Sequence, residues 1–152
     1  MFGEALDKKG GTSIEYIRQF MKGKFPGAPK FAVLISDVKD IAKAHVACIG
    51  NNKVGGRRLI VGKDVKRLVE LSQLIAEAMP EYKKKLPTKE LPNLMVKLIS
   101  YIDSSAKTMI PDLGIMMQTD TSYAEEILGF KFKPAKGCIS ENARSVVRLG
   151  LV

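Results

Sequence analysis

Histidine and cysteine are the scarcest chemistry-bearing residues here. The 152 residues include one histidine, His45, and two cysteines, Cys48 and Cys138. Two cysteines build no disulfide framework, and no Cys-x-x-Cys occurs. The expected compartment is therefore reducing, the cytosol, with both thiols packed as small apolar groups. A single histidine has no second imidazole to share a metal or a proton relay with, and its nearest upstream acids, Asp37 and Asp40, lie about two helical turns away or less. No apolar run reaches the roughly 18–20 residues that a bilayer-spanning helix needs. Residues 1–11 show no basic stretch followed by an apolar one, so no secretory leader is expected. Repeats and low-complexity segments are also missing.

What is present is globular in kind. Hydrophobic residues make up 45% and charged residues 27%, close to the usual balance, so neither a disordered nor a fibrous chain is indicated. The length fits one domain. The net charge is +9, from 25 basic and 16 acidic residues. Such an excess can serve nucleic acid, a membrane surface or an anionic ligand. The lysines and arginines are scattered, with Lys83, Lys84 and Lys85 the tightest group, and no recognition motif accompanies them. A solvated basic surface is the expectation, not a nucleic-acid site.

Periodicity places the elements. Thr12-Ser13-Ile14-Glu15 has the form of a capping box, opening a helix to about Lys22 with Ile14, Ile17, Phe20 and Met21 on one face. Gly23 is placed to end it. Phe31–Ile35 reads as a buried strand. Asp37, with Asp40 three residues on, opens a second helix, where both carboxylates suit the positive end of the helix dipole. Its predicted apolar face carries Ile41, Ala44, His45, Cys48 and Ile49. Arg58–Val61 reads as a second strand, and Asp64 as the cap of a long helix ending before Pro80. Pro92 fits the first turn of a helix carrying Met95, Leu98, Ile99 and Ile102. Thr108–Met117 is expected to be helical in part. Ser122-Tyr123-Ala124-Glu125 has the form of another capping box, and a last helix is expected over about 140–149. Two short strands among about six helices leave sheet edges without partners, as if further strands belonged beside them.

Several of these segments carry a resemblance in order. Asp37-Val38-Lys39-Asp40-Ile41-Ala42-Lys43-Ala44-His45 resembles the Asp-Val-x-Asp-Val-Ala-x-Ala-His segment of extended short-chain dehydrogenase/reductases. The nearest group is the dihydroflavonol reductase and aldehyde reductase branch of the NAD-dependent epimerase/dehydratase superfamily. Phe2–Leu6 is similar to the tail of that family's Gly-Pro-x-Leu loop, with Glu4 in place of the proline. Arg58–Gly62 is similar to its last sheet strand, and Leu91-Pro92-Asn93 to the start of a late helix. Asp120–Ala124, Leu128-Gly129-Phe130 and Pro134 are similar to its Asp-x-Ser-Lys-Ala…Leu-Gly-Phe…Pro signature, with Tyr123 where lysine is common.

The resemblance implies an α/β fold: the C-terminal substrate-binding portion of a Rossmann-type reductase, mostly helical with about two short strands. It implies that residues 1–152 form a single incomplete domain, the dinucleotide-binding part being absent. Neither a Gly-x-x-Gly-x-x-Gly turn nor a Tyr-x-x-x-Lys pair occurs: Tyr16, Tyr82, Tyr101 and Tyr123 are followed four residues later by Phe20, Leu86, Ser105 and Ile127. No catalytic, cofactor-binding or metal-binding residue is therefore expected in this chain. The implied cofactor, NAD or NADP, is not expected to bind the chain alone. The implied activity is reduction of a carbonyl on a small organic substrate. A complementing nucleotide-binding chain or a second copy is the implied partner. Met21 and Phe31 are expected to line the substrate side, while Asp37, Asp40 and His45 are expected to be structural, the two acids as helix caps. The alternative is a non-catalytic binding protein derived from such a reductase.

Overall fold

The computed structural model describes residues 1–9, 11–101 and 104–152. It places seven α-helices and four short strands in the order α1 (Thr12–Met21), β1 (Ala28–Pro29), β2 (Ala32–Ile35), α2 (Val38–Cys48), β3 (Asp64–Arg67), α3 (Leu68–Ala78), β4 (Glu90–Leu91), α4 (Asn93–Ile99), α5 (Ser104–Met109), α6 (Ser122–Leu128) and α7 (Ala135–Arg148). The strands form two separate two-stranded sheets. β2 runs antiparallel to β3, with Ala32 opposite Arg67 and Ile35 opposite Asp64. β1 runs parallel to β4.

The core sits where α7 packs on α1 and α3. Ile17, Phe20 and Met21 of α1 meet Leu68, Leu71 and Ile75 of α3, and Cys138, Ile139, Ala143 and Val146 of α7. These positions recur at three- and four-residue spacing, so each helix turns one apolar stripe inward. A smaller cluster joins Ala44 of α2 to Ala124 and Leu128 of α6 and to Phe132, with Leu59 and Val61 beside it.

The ends of α1 show how local chemistry sets its length. Gly23 takes φ +70°, its N–H reaches the Phe20 carbonyl, and the Lys24 N–H reaches the Gln19 carbonyl. This paired pattern is the Schellman closure, which favours glycine at the left-handed position. The start differs from expectation. Gly11 is the N-cap, and no side chain caps the helix. Thr12 already lies inside the first turn, and Glu15 instead binds Arg18 and Gln19. The box at Ser122 is likewise replaced. Thr121 is the N-cap, and Asp120 accepts from both the Ser122 N–H and its hydroxyl.

Other boundaries shift for tertiary reasons. Among the described residues, Arg58–Val61 belongs to no ladder. Leu59 and Val61 pack into the smaller cluster, and the Val61 carbonyl accepts from the Ser36 hydroxyl at 2.6 Å. The strand that pairs with β2 comes later, at Asp64–Arg67. Asp64 therefore does not cap α3; its carboxylate accepts from the Ala135 N–H at 2.7 Å and so serves the first turn of α7. That helix begins five residues before the sequence expectation, directly after Pro134. In α4 the buried residue is Val96, while Leu94, Met95 and Leu98 are exposed. Ile102 lies outside the described residues.

Glu125 anchors the smaller cluster. Its buried carboxylate binds Lys63 Nζ at 2.8 Å, Lys131 Nζ at 2.9 Å and the Phe132 N–H at 3.0 Å. Chiefly the Lys63 bond, then the Phe132 amide and Lys131, lower its pKa from 4.5 to about 2. A carboxylate with a lowered folded-state pKa stabilises above its unfolded pKa and loses that contribution as pH falls through the folded value. Amide exchange at Phe132, monitored against pH, is therefore expected to speed up between 4.5 and about 2, beyond the intrinsic pH trend. Glu125→Gln should abolish this acid sensitivity; an unchanged profile in that variant would contradict the assignment.

Candidate functional site

The residues proposed from sequence separate in space. Asp37 is the N-cap of α2, accepting from the Lys39 N–H at 2.8 Å. Asp40 does not cap; it accepts from the Lys133 N–H at 2.6 Å, across 93 positions of sequence. His45 is exposed, not on a buried face, and its Nδ1 lies 2.8 Å from the Ile41 carbonyl. At that distance Nδ1 must carry the proton and donate. No group of three or more histidine, cysteine, aspartate or glutamate side chains suited to a metal is found among the described residues. Cys138 is buried, and burial first, then the nearby Asp37 carboxylate, pushes its thiol pKa up. A thiol held neutral in this way is a poor nucleophile.

Met21 is fully buried in the main core and is absent from the lining of both cavities described below. The position on α1 that would reach a cleft is taken by Tyr16, one turn before Phe20. Phe31 does line a cavity of about 260 Å³, together with Met1, Phe2, Val33, Leu34 and Leu68. A second cavity, of about 270 Å³, is lined by Phe25, Pro26, Pro29, Leu91, Val96 and Ile99. Thr12, Tyr16, Phe20 and Met109 line both. Sequence reading missed Tyr16, Val96 and Met109. For Tyr16 the i, i+4 spacing to Phe20 was the available signal; Met109 comes from a distant helix and left none.

The segment beside the first cavity is held firmly. The Phe2 N–H donates to the Ser36 carbonyl at 2.7 Å, and the Val38 N–H donates to the Phe2 carbonyl at 2.9 Å. Asn142 donates to the Gly3 carbonyl at 2.6 Å, and the Ala5 N–H donates to the Ser145 hydroxyl at 2.8 Å. Glu4 binds Lys39 and Arg148, each at 2.8 Å. Residues 2–5 are thus fixed between α2 and α7.

No model of a protein family matches the chain. Its sequence is 26% identical over 152 residues to NADPH-dependent methylglyoxal reductase GRE2 of Saccharomyces cerevisiae, a match that spans 97% of this chain and 39% of that protein. The chain is homologous to part of that reductase. The fold agrees. The structure of yeast methylglyoxal/isovaleraldehyde reductase Gre2 complexed with NADPH superposes with a TM-score of 0.70 at 24% identity, over 98% of this chain and 44% of that one. Gre2 from Candida albicans gives 0.68 at 21% identity, over 98% and 42%. The protein gox2253 gives 0.76 at 16% identity, over 99% and 48%. The chain therefore spans less than half the length of the proteins it matches.

The starts of α2, α3 and α7 are not free to take a pyrophosphate. A pyrophosphate needs a helix start with free N–H groups and no competing negative charge. Here the starts of α2, α3 and α7 are each served by a carboxylate: Asp37 for α2, Glu70 for α3 through the Arg67 N–H, and Asp64 for α7. No helix among the described residues is long and apolar enough to cross a membrane.

Proposed function

We propose that this chain is the substrate-binding side of an NADPH-dependent carbonyl reductase, without activity on its own. The observation that carries this reading is the match of nearly the whole chain to part of the yeast methylglyoxal reductase. The cavity beside Phe2, Tyr16 and Phe31 supports it, because an apolar recess with few polar groups is the common form of a small-molecule site. In this reading residues 1–152 form an incomplete domain. The carbonyl end of the substrate lies in that cavity, with Phe31 as one wall. Hydride donor, proton donor and the groups that hold the dinucleotide come from a complementing nucleotide-binding part. The compartment is the cytosol.

The test is a chimaera joining the nucleotide-binding part of the yeast relative to this chain. The chain alone is expected to leave NADPH unoxidised in the presence of aldehydes, and the chimaera is expected to oxidise it. Saturable NADPH binding by the isolated chain would overturn the division of labour. A second reading is a non-catalytic binding protein, favoured by the exposed row Leu94, Met95 and Leu98 on α4, which resembles a contact face. A folded chimaera that binds NADPH but reduces no carbonyl would favour it.

A further inference from the structure

Seven lysines gather on two stretches that run side by side. Lys22, Lys24 and Lys30 lie on the stretch after α1, and Lys83, Lys84, Lys85 and Lys89 on the approach to β4; all are exposed. A Cβ at Gly23 would meet the Lys85 Cβ and carbonyl at 3.4 Å, and the Ala28 N–H donates to the Lys89 carbonyl at 2.9 Å. Neither stretch contains an acid. Glu81 and Glu90 bound the second, and Glu90 is taken by Arg67 at 3.3 Å. None of these lysines forms an ion pair with a described residue, whereas Lys39, Lys63, Lys131 and Lys133 are each paired.

An apolar stripe follows directly in sequence. Val96 of α4 turns inward at 1% exposure. Val96 and Ile99 line one cavity with Phe25 and Pro26, which seats α4 beside the first lysine stretch. Outward, Leu94, Met95, Leu98 and Tyr101 are 45–89% exposed. Their spacing of i, i+1, i+4 and i+7 makes one stripe. The Tyr101 N–H reaches the Leu98 carbonyl at 3.3 Å and carries the turn past the end of α4.

A partner must satisfy both features. Duplex nucleic acid offers phosphates but no apolar phase for the stripe. A second copy offers an apolar stripe but brings the same +9 charge, which opposes contact at the lysines. The cations of the two stretches are all lysine, mobile point charges without the planar fork by which arginine matches a shaped carboxylate partner. A bilayer with anionic headgroups satisfies both, giving negative charge to the lysines and an acyl boundary to the stripe.

We propose that the two lysine stretches and the outward face of α4 form one peripheral docking surface for an anionic lipid bilayer. The lysines lie over the headgroups, and Leu94, Met95, Leu98 and Tyr101 enter the acyl boundary. This surface shares no residue with the cavity beside Phe2, Tyr16 and Phe31.

The experiment is co-sedimentation of the chain with phosphatidylcholine vesicles made with and without phosphatidylserine. The chain is expected to pellet with the anionic vesicles and to stay in solution with the neutral ones. Lys83→Gln with Lys84→Gln should weaken binding roughly 25-fold, about fivefold for each lysine. Added salt should weaken it in the same sense, and Leu94→Ser with Leu98→Ser should remove what survives the salt. All four side chains are exposed, so these variants are expected to keep the circular dichroism of the parent. The chain has no tryptophan, so Tyr101→Trp supplies a single reporter, whose emission should move to the blue on anionic vesicles. Equal binding to both kinds of vesicle, binding to neither, or an unmoved Tyr101→Trp emission would overturn the proposal. Lysine-dependent binding to duplex DNA that exceeds binding to vesicles would assign the lysines to nucleic acid. Dimers that Leu94→Ser with Leu98→Ser dissociates would assign the stripe to a second copy. Either result also overturns the proposal. Its failure leaves the reductase reading standing, because no step of that reading uses this face.

Discussion

Phe20→Ala is expected to lower the stability of the chain by about 3–5 kcal/mol, the range for deleting a fully buried phenyl ring. Phe20 is 1% exposed and sits in the main core. It also closes both cavities on their α1 side, so the void left by the ring would merge with space already empty. Surrounding side chains then have little to collapse onto, which places the loss toward the upper end. Domains of this size have a total stability of about 5–15 kcal/mol. The substitution should therefore remove a large share of the stability. Urea unfolding followed by circular dichroism should show a lower midpoint with an unchanged slope. Phe20→Leu should recover much of the loss. A cost below about 1 kcal/mol for the alanine variant would mean that the surrounding side chains collapse into the space left by the ring.

The helices were legible wherever one apolar stripe decided them. Leu68, Leu71 and Ile75 face the core as their spacing requires, and α3 stops before Pro80. Gly23 and Gly129 both take positive φ at helix ends. Caps were less legible, because a Ser or Thr followed by Glu states only what the side chains could do. Glu15 and Glu125 found stronger partners among lysine, arginine and glutamine side chains. With arginine and lysine both partners are charged, which favours these bonds over the backbone N–H of a cap. β3 was misplaced for a different reason. Val65 alternates with Lys66 and Arg67, a half-exposed strand, whereas Leu59–Val61 looked more apolar yet lies outside any ladder. Strand identity depends on which segment lies beside β2, and that is tertiary information.

Of the two residues expected on the substrate side, Phe31 lines a cavity and Met21 does not. Phe31 lines a cavity because it sits just ahead of β2, where its carbonyl accepts from the Leu68 N–H. Met21 shares the helical face of Ile17 and Phe20, so packing claims it for the core. The α4 stripe failed because Val96 alone turns inward while Leu94, Met95 and Leu98 face outward. A period of 3.6 tells that a helix has faces, but not which one a partner covers.

Asp37→Ala is expected to cost about 2–3 kcal/mol, combining a lost N-cap, worth about 1 kcal/mol, with a lost buried charged acceptor, worth about 1.5–3 kcal/mol before partners readjust. One carboxylate oxygen accepts from the Lys39 N–H; the other lies 3.4 Å from Lys133 Nζ. Gly3 passes close enough that a Cβ there would meet this second oxygen at 3.0 Å, so residues 2–5 pack directly on it. Lys133 keeps Glu141 as a partner, which holds the cost below that of stranding a charge. Asp37→Asn retains the cap and removes the charge, and should recover about 1 kcal/mol. Equal losses for the two variants in urea titrations would refute the capping role. Asp40 grips the backbone N–H of the same lysine. The two acids, three residues apart at the start of α2, thus hold one residue by its two ends and tie α2 to the approach of α7. Asp37→Ala and Asp40→Ala should therefore combine non-additively, with a coupling above about 0.5 kcal/mol, as expected for residues that share a partner. Strict additivity would mean that Lys133 does not connect them.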